Sequence, residues 1–228
     1  MNVNAERLPR DVVVVGGSAG ALEVVLQVLA GLPRDLPAII ALVIHRKASG
    51  ESSLLYEIVA RRSPLSVIEP HENEPVRLGT VYVAPADRHL VFHDGVARLS
   101  RGAQEHRFRP AIDPLFVSAS RAYGQRVLGI LLSGGGSDGV LGLTAIKAAG
   151  GLCLVQDPSE AAVNTMPVNA LQKDQVDGFV STGELMAILP ALVNGQDVKL
   201  SPRQSAALRD DPFVRLNSPK DDRGENSR

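Results

Sequence analysis

A hydroxyl, an imidazole and a carboxylate stand in this chain at three places where a strand runs out. Ser18 lies in Gly16-Gly17-Ser18-Ala19-Gly20, His45 ends the apolar run from Pro37 to Ile44, and Asp138 follows the turn Ser133-Gly134-Gly135-Gly136-Ser137. A nucleophile, a base and an orienting carboxylate are the parts of hydroxyl-activated acyl transfer, a constellation defined by geometry and not by chain order. Each residue also has a plainer reading. Gly16 to Gly20 satisfies G-x-S-x-G, yet glycine turns between a strand and a helix are common. A lone histidine can simply end a strand, and an aspartate before a helix is suited to N-capping. Their joint occurrence favours the chemical reading, because open parallel sheets gather ligands and catalytic groups beyond the carboxyl ends of their strands.

The elements that must position these residues follow from periodicity. Val12 to Val15 is a buried β-branched strand, and Ala21 to Leu29 resumes at helical spacing. Ser18 therefore falls at a helix N-terminus, where free N–H groups and the helix dipole suit a phosphate or a developing oxyanion. A second strand runs from Pro37 to Ile44, a helix from Ser53 to Arg62 and a short strand from Leu65 to Ile68. The stretch from Thr80 to Leu99, with turns at Pro85-Ala86-Asp87 and His93-Asp94-Gly95, predicts a local antiparallel hairpin. Alternation resumes with a helix from Asp113 to Tyr123, a strand from Val127 to Leu132, a helix from Gly139 to Ala149, a strand from Leu152 to Val155 and a last helix from Glu184 to Val193. The fold class expected is α/β, a doubly wound, mainly parallel sheet flanked by helices with a small antiparallel hairpin.

Composition narrows the class. A chain of 228 residues suits one α/β domain, expected over 1–200, with a polar and disordered tail over 201–228. Hydrophobic content of 44% with 4% aromatic and no Trp describes a Val/Leu/Ile/Ala core. A net charge of −1 offers no electrostatic argument for nucleic acid or an anionic membrane. The single Cys153, in an apolar run, reads as a buried strand residue. With no signal-like segment and no apolar run near the ~20 residues of a membrane span, the expectation is a cytoplasmic protein without membrane insertion. His71, His89, His93 and His106 show no metal-ligand spacing, so no metal is expected.

From about Val12 to Val193 the chain resembles the catalytic domain of the CheB family of protein-glutamate methylesterases. The glycine turn at Gly16 to Gly20 and the strand-end His45 carry the resemblance, with Ala84-Pro85-Ala86-Asp87-Arg88-His89, Arg107-Phe108-Arg109-Pro110-Ala111-Ile112-Asp113, the span from Leu131 to Gly139 and Met166-Pro167. The resemblance implies hydrolysis of glutamate γ-methyl esters on chemotaxis receptors with release of methanol, and leaves open deamidation of receptor glutamine. It makes Ser18 the nucleophile, His45 the general base and acid, and Asp138 the carboxylate that orients it. Ala19, Gly134 and Gly135 would form the oxyanion site or pocket, and Arg107 and Arg109 would contact an acidic receptor helix. No metal or organic cofactor is needed.

Departures from the family pattern are local. Its usual Thr after the nucleophile is Ala19, its Met in the second glycine turn is Gly135, and its Met-Pro after the histidine is Arg46-Lys47. These changes alter the pocket walls around the three residues. About ten residues precede the first strand, so the expectation is a catalytic domain without a receiver domain, with any control coming from a separate receiver protein.

Two rival readings come from other classes. A Rossmann-type nucleotide-binding protein also uses strand, glycine turn and helix, but Gly16, Gly17 and Gly20 are not spaced G-x-G-x-x-G and no ribose-binding acid ends the second strand. A catalytically silent receptor- or kinase-binding module would keep the same fold. An α/β-hydrolase fits poorly, since its elbow serine normally follows several strands.

Overall fold

Four consecutive valines in β1 (Val12–Gly17) serve two cores at once. Val13 and Val15 pack into one apolar cluster and Val12 and Val14 into the other. That is what period-two alternation does in a strand covered on both faces. The protein, seen in a computed structural model, is described over residues 8–46, 52–173 and 176–200. The expected tail at 201–228 and Lys47 lie outside the described residues.

Seven strands form a parallel sheet. Besides β1 they are β2 (Ile39–Ile44), β3 (Ser66–Ile68), β5 (Thr80–Val83), β8 (Val127–Leu131), β9 (Leu152–Gln156) and β10 (Gly178–Val180). Their order is β10-β9-β8-β1-β2-β5-β3. On one face lie α1 (Ala21–Ala30), α2 (Ser52–Arg62) and α6 (Thr182–Val193); on the other lie α3 (Ile112–Tyr123), α4 (Val140–Ala148) and the short α5 (Thr165–Leu171). Because β1 pairs with β2 on one side and β8 on the other, strand order reverses there. That reversal opens the crevice at which doubly wound sheets place their sites.

The expected hairpin over 80–99 is a correction in part. Thr80–Val83 does not join it: β5 pairs in parallel with β2 and β3 inside the main sheet. Its four residues are all buried, and a strand buried on both faces belongs in the middle of a parallel sheet. The hairpin is β6 (His89–His93) with β7 (Val96–Ser100), turned at Asp94-Gly95, and β4 (Glu74–Pro75) adds a third antiparallel strand. This small sheet packs against α3, with Leu90, Phe92 and Ala97 buried in the second cluster.

Local chemistry explains the remaining boundaries. Ser181 accepts from Glu184 N–H while the Glu184 carboxylate accepts from Ser181 N–H, a capping box that starts α6 before Glu184. Cys153 is fully buried in β9, and burial pushes its thiol up to about 12, leaving it an inert core residue. No helix among the described residues is long and apolar enough to cross a membrane.

Candidate active site

Sheet register brings the predicted residues together. Gly17 pairs with Ile44, so Ser18 and His45 are the next positions on adjacent parallel strands, and His45 N–H donates to Gly17 O at 2.9 Å. On the other side of β1, Ser18 N–H donates to Ser133 O at 2.9 Å, tying the nucleophile turn to the loop that carries Asp138. Gly16 has no room for a side chain, since a Cβ there would lie 2.3 Å from Ile112 Cγ2. Gly20 takes φ +83 as α1 begins, a left-handed value that glycine adopts at little cost.

His45 and Asp138 are in direct contact. Nε2 of His45 lies 2.7 Å from Oδ2 of Asp138, and both side chains are almost wholly buried, at 1% and 2% exposure. The other ring nitrogen, Nδ1, is buried and has no hydrogen-bond partner among the described residues. With Nε2 donating to the carboxylate, Nδ1 is left as an acceptor on the ring neighbouring Ser18. Ser18 is partly exposed as a residue, and its hydroxyl likewise has no partner among the described residues. Phe108 lies flat on the imidazole, its centroid 3.7 Å away and its plane 10° from parallel.

Asp138 does not cap α4, the helix it precedes; the N-cap there is Gly139, with no side-chain cap bond. It reaches across to α3 instead, where Oδ2 accepts from Ile112 N–H at 2.8 Å and Oδ1 from Asp113 N–H at 3.0 Å. The N-cap reading for the helix that follows Asp138 is therefore a correction: the carboxylate serves the first N–H groups of α3, as well as contacting His45. Burial alone pushes Asp138 up, but the His45 hydrogen bond and the two α3 N–H groups outweigh it and hold the carboxyl below its ordinary value.

Asp113, which the sequence placed in a motif without a role, is the second buried carboxylate. Its Oδ1 accepts from Gly139 N–H at 2.9 Å and Gly142 N–H at 2.7 Å, and Oδ2 lies 3.2 Å from His106 Nε2. Burial, helped by the charge of Asp138, pushes Asp113 up to about 6 against the Gly142 and His106 hydrogen bonds. His106, Asp113 and Asp138 present ligand atoms within 4.8 Å of one another, but each carboxylate oxygen already accepts at least one hydrogen bond. The group is a hydrogen-bond junction.

The glycine turn after β8 sits over Ser18. A Cβ on Gly134 would fall 2.8 Å from Ser18 Cβ and 2.9 Å from Met166 Cε, whereas Gly135 faces open space. Gly134 N–H is committed to Val163 O at 2.9 Å, so this residue enters the site as a wall and not as a donor. Ala19 and Gly135 N–H groups have no hydrogen bond among the described residues.

The two arginines separate. Arg109 donates from Nε and Nη2 to Asp87 Oδ1 at 2.9 and 2.6 Å, and from Nη1 to Gly102 O at 2.7 Å, so it braces a loop. Arg107 is exposed at the tip of a tight turn. His89, buried in β6, accepts from Ala111 N–H at its Nδ1, 3.2 Å away. Asp87 and His89 of one motif thus hold Arg109 and Ala111 of the next, a pairing that their separation of some twenty residues hides.

The family model described as CheB methylesterase matches residues 13–189. A protein-glutamate methylesterase/protein-glutamine glutaminase 2 of Anaeromyxobacter dehalogenans is 44% identical over 182 residues, 80% of this chain and 53% of that protein. A putative protein-glutamate methylesterase/protein-glutamine glutaminase of Leptospira interrogans is 35% identical over 174 residues, 75% of this chain and 89% of that one. The chain thus spans about half the length of the first relative and most of the second. The crystal structure of the Thermotoga maritima CheB methylesterase catalytic domain superposes with a TM-score of 0.76 at 28% identity, covering 80% of this chain and 98% of that chain.

Proposed function

Because this chain belongs to the CheB methylesterase family, we propose that it hydrolyses γ-methyl esters of glutamate side chains on chemotaxis receptors, releasing methanol. The same centre would deamidate receptor glutamine, with ammonia as the leaving group. The observation that supports this reading best is the buried His45–Asp138 pair, with the second imidazole nitrogen unpartnered beside the strand end that carries Ser18.

The chemistry follows from that placement. Ser18 Oγ attacks the ester carbonyl as His45 Nδ1 takes the hydroxyl proton, and Asp138 stabilises the imidazolium through Nε2–H; such proton transfer contributes typically about 10²–10⁴-fold. Ala19 and Gly135 N–H groups receive the oxyanion, where one lost donor typically costs about 3–4 kcal/mol. Collapse breaks the ester C–O bond, and His45 returns the proton to the departing methoxide, giving methanol. Water then attacks the acyl-serine with His45 again as base, which frees the glutamate carboxylate and restores Ser18.

The proposed partners are the receptors, which Arg107 would contact, and a separate receiver protein as the control element; the proposed compartment is the cytoplasm. Methanol release from a methylated receptor fragment, comparing the wild type with Ser18→Ala, tests the reading. Serine-dependent release supports it. No release from folded wild-type protein would move the assignment to a binding module.

A further inference from the structure

Asp138 tethers His45 at one ring atom. A single hydrogen bond at Nε2 fixes a point but leaves the ring free to tilt about it, and tilt redirects Nδ1, the atom that must meet the serine proton. Phe108 supplies the missing constraint. Its phenyl covers one imidazole face at 3.7 Å and 10°, and no other ring stacks on His45 among the described residues.

Phe108 is itself held by a stiff support. Glu105 and Phe108 exchange backbone hydrogen bonds, Phe108 N–H to Glu105 O at 2.8 Å and Glu105 N–H to Phe108 O at 3.2 Å. Between them His106 and Arg107 take φ +51 and +71, so both central residues of this four-residue turn are left-handed. His106 ties one side of the turn to Asp113, and Arg109 ties the chain after it to Asp87 and Gly102. The same turn therefore contacts both halves of the His45–Asp138 pair, the histidine directly and the aspartate through Asp113.

We propose that Phe108 is a positioning residue for ester hydrolysis, holding the His45 ring in the plane that aims Nδ1 at Ser18. It acts through His45, and it covers the imidazolium formed during attack with the negative face of a phenyl in place of water. The inference rests on the hydrolase reading above. Misplacement of a reacting group by about 1 Å can cost on the order of 10²-fold in rate, so loss of the ring plane belongs in kcat and not in KM.

The test compares Phe108→Leu, which keeps an apolar side chain without a planar face, with Phe108→Tyr, which keeps the face. With methylated receptor fragment, Phe108→Leu is expected to lower kcat roughly tenfold or more, with KM within about twofold, and Phe108→Tyr to restore kcat. The ring-current shift of the His45 carbon-bound protons in the NMR spectrum should collapse in the leucine variant and persist in the tyrosine variant. A second arm needs no natural substrate: the rate at which a fluorophosphonate forms its P–O bond to Ser18, expelling fluoride as His45 takes the proton, should fall in the same order. Wild-type kcat in Phe108→Leu, a change confined to KM, or equal loss in both variants would overturn the role. Fluorophosphonate labelling that follows the stack in a protein that releases no methanol would overturn the substrate assignment alone.

Discussion

Asp113 and Asp138 cap each other's helices. Asp138, at the foot of α4, accepts from the first N–H groups of α3, while Asp113, in the first turn of α3, accepts from Gly139 and Gly142 where α4 begins. Two helix N-termini thus meet over two buried carboxylates, and their N–H groups and positive ends counter part of the cost of burying the pair. His45 hangs from one member of the exchange and His106 from the other.

Asp138→Asn should fail twice. Loss of the carboxylate that orients His45 is expected to lower methanol release by about 10⁴-fold, the scale seen when a triad aspartate becomes an amide. The same variant should lose roughly 1–3 kcal/mol in denaturant unfolding, because α3 N–H groups lose a charged acceptor in a buried site. Rate loss with unchanged stability would remove the helix-capping role.

Ser18→Ala should be the converse, abolishing turnover with no change in the melting temperature. The fold uses the backbone of Ser18, through Ser133 O, while its hydroxyl has no partner among the described residues. Retained serine-independent hydrolysis would remove Ser18 from the mechanism.

Asp113 gives stability a pH dependence of defined sign. A carboxyl raised to about 6 keeps its proton in the folded state after the unfolded chain, near 3.8, has released it. Its contribution to stability is therefore full below 3.8 and is lost as pH rises to about 6. Asp138, held low, behaves oppositely and loses its contribution only as pH falls below the ordinary carboxyl value. The melting temperature of wild type relative to Asp113→Asn should accordingly be greatest at and below about pH 4 and shrink by about pH 7. A difference that grows with pH would show that Asp113 is not held protonated.

The two glycines of the second turn should respond unequally. Gly134→Ala places a methyl 2.8 Å from Ser18 Cβ and should lower kcat at least about tenfold, while Gly135→Ala, pointing into open space, should be close to neutral in kcat and melting temperature. Equal effects in methanol release would refute the wall assignment for Gly134.

Arg107 and Arg109 should also part company. Arg109→Ala removes the brace to Asp87 and Gly102 and is expected to lower the denaturant midpoint modestly, in a titration of the unfolding curve. Arg107→Ala should leave stability unchanged and raise KM for a receptor fragment, an effect that added salt erases. An Arg107 variant with unchanged KM at low salt would exclude the receptor contact.

Much of this architecture is readable from local signals. Valine runs, glycine turns and helical spacing place β1, β2, β8 and the helices between them, and strand ends point to Ser18, His45 and Asp138. What hides is whatever depends on partners distant in the chain. Thr80–Val83 has the composition of either a hairpin strand or a central parallel strand, and only its neighbours β2 and β3 decide. The three-residue β10 and the seven-residue α5 are too short to show a period. Phe108 and Asp113 sit in a charged stretch around a proline, and their contacts form only where the chain folds back onto His45 and Asp138. The capping box at Ser181, by contrast, is legible in the spacing of Ser181 and Glu184 and places the start of α6 at Thr182, two residues before Glu184.

The cross-capping by Asp138 also changes what its presence can tell about a relative of unknown activity. A copy of this gene released from selection for the proposed hydrolysis would still be selected to keep the aspartate, since losing it strips two α3 N–H groups of their charged acceptor. Ser18 bears no such structural duty. Under the proposed mechanism, the serine is therefore the diagnostic position for hydrolysis in a survey of sequences sharing this fold, whereas the aspartate also reports on the fold.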